Sequence, residues 1–262
     1  MIFYGGINIQ PRNDMNVILV DVNEVIESKL VLSEHRAKHI VKVLKSDIGD
    51  TVKLGIINGN LGEGTIISIN RKYPFCVEID TVFDLLPPIK PQIDLLLALP
   101  RPIMLKRIFS QAASLGVGTF HITNANRVEK SFWEAGLLQP NEYMQHLVQG
   151  LEQAVDTVVP NVVFHRRFKP FVEDYIPQIS EKYSHLVFAH PDSQQRLHNI
   201  FMTQPGKILL AIGPEGGWVD FEVEKFQEYG FCGFTIGGRI LKVDTAVINI
   251  HGRIMAELER LG

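Results

Sequence analysis

The sequence predicts an α/β protein in two parts: a small β-rich unit over residues 1–84 and a larger α/β domain over 85–262. Three observations predict it. After residue 92, short apolar runs alternate with helical stretches, the pattern of a parallel sheet built from βα units. Before residue 84 the segments are short, rich in β-branched residues and separated by turn residues. Between the two lies Leu86-Pro87-Pro88-Ile89-Lys90-Pro91, a stiff proline-rich segment and the best domain boundary in the chain.

In the first part, Thr51-Val52-Lys53-Leu54 leads through Asn58-Gly59-Asn60 to Thr65–Ile69, and Cys76-Val77-Glu78-Ile79 follows, so a barrel-like unit is expected. One helix interrupts it, with Ser33 as its N-cap and its end before Gly49. Ala37, Ile40, Val41 and Leu44 form the apolar stripe, while His35, Lys38, Lys42 and Lys45 fall on another face. That cationic ridge has two readings: a solvated helix face, or a surface that contacts phosphates.

In the second part, strands are expected over 93–99, 119–122, 186–189, 208–212 and 231–236. Pro102 opens a helix closing at Gly116, Pro140 opens another running to about Val155, and a last helix runs from about Thr245 to Leu261.

Composition narrows the function. With 45% hydrophobic and 21% charged residues, the chain is neither disordered nor fibrous, and no apolar run approaches the roughly 18 residues of a membrane span. The N-terminal Met1-Ile2-Phe3-Tyr4-Gly5-Gly6 does not read as a signal peptide, so a cytoplasmic protein is expected. A net charge of -3 excludes coating nucleic acid by bulk electrostatics, and any RNA contact must use local patches. Cys76 and Cys232 are too few for a disulfide framework or a zinc site and read as two buried thiols.

Ligands of an open parallel sheet bind beyond the carboxyl ends of its strands, and two loops there are glycine-rich. One follows Ile208–Ile212 and reads Gly213-Pro214-Glu215-Gly216-Gly217-Trp218, leading into a helix through Asp220 and Glu222. The other follows Phe234-Thr235-Ile236 and reads Gly237-Gly238-Arg239-Ile240-Leu241-Lys242-Val243-Asp244-Thr245-Ala246. Glycines let a flat ligand lie against the main chain, although either loop alone could be only a turn. The chain lacks a phosphate-binding Gly-x-x-x-x-Gly-Lys-Ser/Thr loop, a strand-to-helix Gly-x-Gly-x-x-Gly turn, a nucleophile elbow and a His-Glu-x-x-His pair. No metal site is expected. His165-Arg166-Arg167-Phe168-Lys169 suits phosphate contact or a solvated charge run. Trp133 and Phe132, beside Arg127 and Lys130, either stack on an unpaired base or pack locally.

At its two glycine loops the sequence resembles the ribosomal RNA small subunit methyltransferase E family, SPOUT-class enzymes that methylate N3 of a uridine in 16S ribosomal RNA. The family shows Gly-Pro-Glu-Gly-Gly and then Gly-x-Arg-Ile-Leu-Arg-x-Glu-Thr-Ala. Weaker matches are Lys38-His39, Val43-Leu44-Lys45, Gly49-Asp50, Ser114-Leu115-Gly116-Val117, Glu152-Gln153 and Pro160. The resemblance spans nearly the whole chain. It implies a PUA-like RNA-binding domain, a C-terminal domain with a trefoil knot, S-adenosyl-L-methionine as cofactor, ribosomal RNA or the small ribosomal subunit as partner, and a homodimer. The chain departs from the family at Lys242, Asp244 and Asp156, where the family carries Arg, Glu and often Arg.

On that resemblance, Ile212, Gly213, Pro214, Glu215, Gly216 and Gly217 cradle the cofactor with Ile236, Gly237, Arg239, Ile240 and Leu241, and with Thr245 and Ala246 behind them. Lys242 and Arg239 are the catalytic candidates, as cations that stabilise an anionic base or its phosphate. Glu215 alternatively braces its own loop, and Asp244 reads as N-cap of the last helix. His35, Lys38, Lys42, Lys45, Arg127, Arg166 and Arg167 are the RNA-binding candidates. The competing readings are a non-catalytic RNA-binding protein and a methyltransferase with a different target base.

Overall fold

Among the described residues, each part of the chain builds its own six-stranded sheet. The computed structural model describes residues 16–89, 92–203 and 206–261. The first six residues, Lys90 and Pro91 of the expectations above therefore lie outside the described residues. One compact unit runs to Pro87 and takes in Val155–Val158; the other comprises Pro88–Ala154 and the chain from Val159 onward.

The first unit contains β1 (Ile18–Val20), β2 (Val25–Ile26), β3 (Lys29–Ser33), β4 (Thr51–Ile56), β5 (Leu61–Asn70) and β6 (Cys76–Leu85), in the order β1-β4-β5-β6-β3-β2. Only the β1/β4 pair is parallel. Burial alternates as a pleat with one wet face demands. Leu30, Leu32, Val77 and Ile79 point into the core, and Lys29, Val31, Glu78 and Asp80 point out. Among the described residues the sheet is open, with β1 and β2 at its ends.

Helix α1 (Glu34–His39) runs without a break into a π-helical turn, Ile40–Leu44, and stops where Lys45 turns left-handed at φ 56°. Ala37, Ile40 and Val41 are buried, whereas His35, Lys38, Lys42 and Lys45 are exposed. The apolar stripe and the cationic ridge are thus on separate faces. The expected cap is not made: Ser33 occupies the N-cap position, but its side chain forms no capping bond. Ser33 is still paired with Cys76 in the β3/β6 ladder, and the Glu34 N–H donates instead to the Phe75 carbonyl at 3.2 Å.

The Val155–Val158 segment is held by an Asx turn in which Asp156 accepts from the Val158 N–H at 2.9 Å. Buried Thr157 donates its hydroxyl to the Gly59 carbonyl at 2.6 Å. Asp156, a departure from the family pattern, therefore shapes a structural turn.

The second unit holds β7 (Ile93–Ala98), β8 (Val117–Thr123), β9 (Asn161–His165), β10 (His185–Ala189), β11 (Ile208–Ile212) and β12 (Cys232–Phe234). All are parallel, in the order β12-β10-β11-β7-β8-β9. Its helices are α2 (Pro102–Ser114), α3 (Pro140–Ala154), α4 (Phe168–Pro170), α5 (Ile176–Ile179), α6 (Leu197–Ile200), α7 (Asp220–Glu228) and α8 (Val243–Leu261), with a π-helical turn between α4 and α5. Every residue of β7 and β11 is buried, as central strands covered on both faces must be. Phe120 packs edge-on against Phe109 of α2, while its neighbour His121 meets Phe171 and Tyr175 on the opposite face. Helices therefore cover both sides.

Polar groups interrupt this core, Asp94 and His121 among them. Asp94 in β7 accepts from the Tyr183 hydroxyl at 2.6 Å and pairs with Lys207 at 2.8 Å. His121 and His165 approach each other at 3.3 Å through Nδ1 and Nε2, and burial pushes both imidazoles down to about 4. His165 thus ends a half-buried strand, so the segment it opens is not uniformly solvated; Arg166 and Arg167 are exposed. Cys76 and Cys232 are free and only half-buried, at the starts of β6 and β12, where full burial was expected.

Candidate functional site

Four loops leave the carboxyl ends of β7, β8, β11 and β12, and hydrogen bonds tie three of them together. The Glu222 carboxylate, almost fully buried in the first turn of α7, accepts from the Val219 N–H at 2.9 Å and from the Asn126 N–H at 2.7 Å. It satisfies a free amide at its own helix start and one in the loop after β8. Arg127 of that loop donates its guanidinium to the Gly216 carbonyl. Glu215 reaches the third loop, accepting from the Arg101 N–H at 3.3 Å just before α2. Glu215 is therefore a brace, and Arg127, expected at an RNA surface, is engaged with the glycine loop.

Trp218 fixes the loop from below. Its indole is buried, stacks its edge on Phe226 at 4.9 Å between centroids, and lies so close to Gly213 that a Cβ there would meet the ring at 3.2–3.3 Å. Gly217 has φ +76° and Gly237 φ +129°, conformations that glycine adopts freely. Around Gly237 and Gly238, a Cβ would find nothing within 4 Å. The main chain is bare and open there, as a backbone that accepts a flat ligand must be. The Trp218 Nε1 is a buried donor without a partner beside the same strand end.

The second loop carries Arg239, Ile240 and Lys242, all exposed, with Ile240 90% exposed. The Ile236 carbonyl accepts from Arg253 at 3.2 Å, anchoring the loop on α8. That helix begins earlier than expected. The Lys242 carbonyl accepts the first intrahelical bond, from the Ala246 N–H at 2.8 Å, so Asp244 lies within the first turn and is not the N-cap. Its carboxylate accepts from the Thr245 N–H at 2.8 Å and faces Arg107 at 4.0 Å, where a negative charge suits a helix N-terminus. Thr245 and Ala246 occupy the same turn.

Trp133 is half-buried. Its Nε1 donates to Asn124 at 3.0 Å, and the Arg166 guanidinium lies 5.2 Å over its ring. Local packing, not a free stacking face, is what the structure gives this residue. Among the described residues no group of three or more His, Cys, Asp or Glu is arranged to hold a metal ion, and no helix is long and apolar enough to cross a membrane.

Comparison with known proteins shows the family. Residues 88–255 match the family described as RNA methyltransferase domain, and residues 32–79 match the RNA methyltransferase PUA domain. The ribosomal RNA small subunit methyltransferase E of Treponema pallidum (strain Nichols) is 30% identical over 239 residues, covering 88% of this chain and 87% of its own. The chain belongs to the ribosomal RNA small subunit methyltransferase E family. A second member, from Borreliella burgdorferi, is 28% identical over 89% of this chain and 94% of its own. The fold is also that of the Neisseria gonorrhoeae member solved with S-adenosyl methionine bound, at TM-score 0.74 and 17% identity over 92% and 97% of the two chains.

Within this family member, the glycine loops were legible in the sequence and their supports were not. Glu222 could have been found as an acidic residue three positions after a helix N-cap. Trp218 and the Arg127 contact carried no such signal.

Proposed function

We propose that this chain transfers a methyl group from S-adenosylmethionine to N3 of a uridine in 16S ribosomal RNA. The observation that carries this reading is the bare main chain of the two braced loops at the carboxyl ends of the sheet, open at Gly237 and Gly238 and left-handed at Gly217. These residues fit the cofactor: Ile212–Gly217 and Ile236–Leu241 would hold it, with Thr245 and Ala246 in the first turn of α8 completing the cradle. When bound, S-adenosylmethionine supplies an activated methyl group on a sulfonium. The chain's part is to position the acceptor and exclude water.

Uracil N3 is protonated near neutral pH, so the site must favour its anion. Arg239 and Lys242 supply fixed positive charge in the loop beside the cradle, which lowers the energy of an anionic base. Lys242 acts as a point charge where most of the family has a guanidinium. The exposed His35, Lys38, Lys42 and Lys45 of residues 1–84, with Arg166 and Arg167 of 85–262, hold RNA by its phosphates. The same reading places the enzyme in the cytoplasm with ribosomal RNA.

Knotting and dimerisation belong to this reading too. Strand β12 lies outside β10, yet α8, which follows it, packs back on α2 and β11, a return path consistent with a trefoil. Ile103 on α2, Ile240 in the loop before α8 and Ile248 on α8 are exposed apolar side chains that a second copy could cover.

Calorimetric titration with S-adenosylhomocysteine tests the proposal. Saturable binding is expected, and it is lost in Gly237→Val, where a β-branched residue is strained at φ +129°. Gly216→Val, whose Cβ would approach Arg127 Cδ at 2.8 Å, is expected to lose it as well. A folded wild-type protein that binds no S-adenosylhomocysteine overturns the cofactor assignment and leaves a non-catalytic RNA binder.

A further inference from the structure

The loop joining β5 to β6 is fastened at one end to the start of the helical segment after β3 and at the other to the turn just beyond that segment. On one side, Arg71 donates to the Ser46 carbonyl at 3.1 Å and pairs with Asp47. On the other, the Phe75 carbonyl accepts from the Glu34 N–H, and the Lys42 ammonium lies 5.8 Å from the centroid of the Phe75 ring. Within the loop, Asn70 donates its side-chain amide to the Pro74 carbonyl at 2.8 Å and accepts from the Lys72 N–H at 3.1 Å. Its shape is set without a ligand.

At the tip of this fixed loop Tyr73 stands 86% exposed. An aromatic ring held in water forgoes the gain that burial would bring, and the local bonds prevent the loop from folding it away. The neighbouring charge is positive on balance. Lys38, Lys42, Lys45 and Lys72 are exposed, Arg71 is matched by Asp47, and Glu34 and Asp50 are the exposed carboxylates close by in sequence. The outer face of the sheet is mixed, with exposed Glu63, Glu78 and Asp80 beside Lys29.

We infer that Tyr73 is a stacking platform for an unpaired base of the RNA substrate, with Lys42 and Lys72 holding the flanking phosphates. The inference rests on the reading of the chain as an RNA-modifying enzyme. A single strand fits better than a duplex, because an aromatic ring can stack only on a base whose face is exposed. The charge bias argues for a polyanion over an apolar protein partner.

Fluorescence anisotropy of the full chain with labelled oligouridylate, alone or paired with oligoadenylate, tests it. Tyr73→Ala is expected to weaken single-strand binding about 5- to 150-fold, the range that one base–aromatic stack supplies. Tyr73→Phe retains the ring and binds like the wild type. Lys42→Gln lowers the slope of log K against log salt by about 0.7, which Tyr73→Ala leaves unchanged. Unaltered single-strand binding by Tyr73→Ala, or an equal loss on the duplex, overturns the inference. Titration of the same variant with S-adenosylhomocysteine separates the two ideas: affinity there stays at the wild-type value whichever way the anisotropy falls, whereas a wild-type protein without that affinity loses the proposed function alone.

Discussion

Removing the Glu222 carboxylate should damage both the stability of the second unit and its cofactor affinity, because this one group ties the loop after β8 to the start of α7. The side chain is 2% exposed and accepts two backbone N–H bonds, at 2.7 and 2.9 Å. Hydrogen bonds to a charged group contribute about 1.5–3 kcal/mol each, and unsatisfied buried donors cost about 1–3 kcal/mol each. Glu222→Ala strands two donors at once, giving an expected loss of about 3–5 kcal/mol and a fall in Tm on the order of 10 °C. Glu222→Gln keeps one acceptor and turns an NH2 toward the other amide, so about half that loss is expected. Thermal unfolding measures the first quantity. Calorimetric titration with S-adenosylhomocysteine below the transition measures the second, because Val219 ends the glycine loop and Arg127, next to Asn126, holds its Gly216 carbonyl. A Glu222→Gln protein with wild-type Tm and wild-type affinity would refute the bridging role.

Three further outcomes are expected. Lys242→Met should lower the methylation kcat about 10²- to 10³-fold while S-adenosylhomocysteine affinity stays within about twofold, read by single-turnover assay and calorimetry; equal losses remove the catalytic role. Burial holds His121, His165 and His251 at about 4, below the value near 6.5 of an unfolded histidine. The unfolded chain therefore binds more protons between these values, so stability is full above about pH 6.5 and falls toward pH 4, by up to about 1.4 kcal/mol per pH unit for each histidine. His251→Leu should flatten urea midpoints against pH by one proton's share, and an unchanged slope counts against its neutral burial. Gly150 lies where α3 meets α2, and a Cβ there would come within 2.1 Å of the Ser110 carbonyl oxygen. Gly150→Ala should cost about 1–3 kcal/mol despite its better helix propensity, measured by urea unfolding.

The elements that the sequence made legible are those whose local pattern matches their final environment. Ile208–Ile212 is five apolar residues that all become buried, and Pro102 and Pro140 open the helices they were expected to open. Strand β9 was missed because its apolar run is only Val162-Val163-Phe164, followed at once by His165-Arg166-Arg167. Its partial burial comes from pairing with β8 and from the aromatic cluster around His165, neither of which is local. Ser33 misled in the reverse sense: a good capping residue is claimed by the strand ladder before the helix can use it. At the site, glycine loops announce themselves because backbone freedom is a property of the residue. The Glu222–Asn126 bond spans 96 positions, and no periodicity or spacing encodes it.

A chain with net charge -3 can still hold a polyanion if its charges are segregated. In the first unit the core separates an outer sheet face bearing Glu63, Glu78 and Asp80 from the helix that bears Lys38, Lys42 and Lys45. A packed layer is about 10 Å thick, close to the Debye length of about 8 Å at physiological salt. Charges exposed on the two faces are therefore largely screened from each other, and a polyanion held at the ridge, as proposed, would experience mainly the local cations. Such an arrangement predicts binding with a small number of phosphate contacts and a shallow salt dependence, set by the ridge lysines and not by the net charge of the chain.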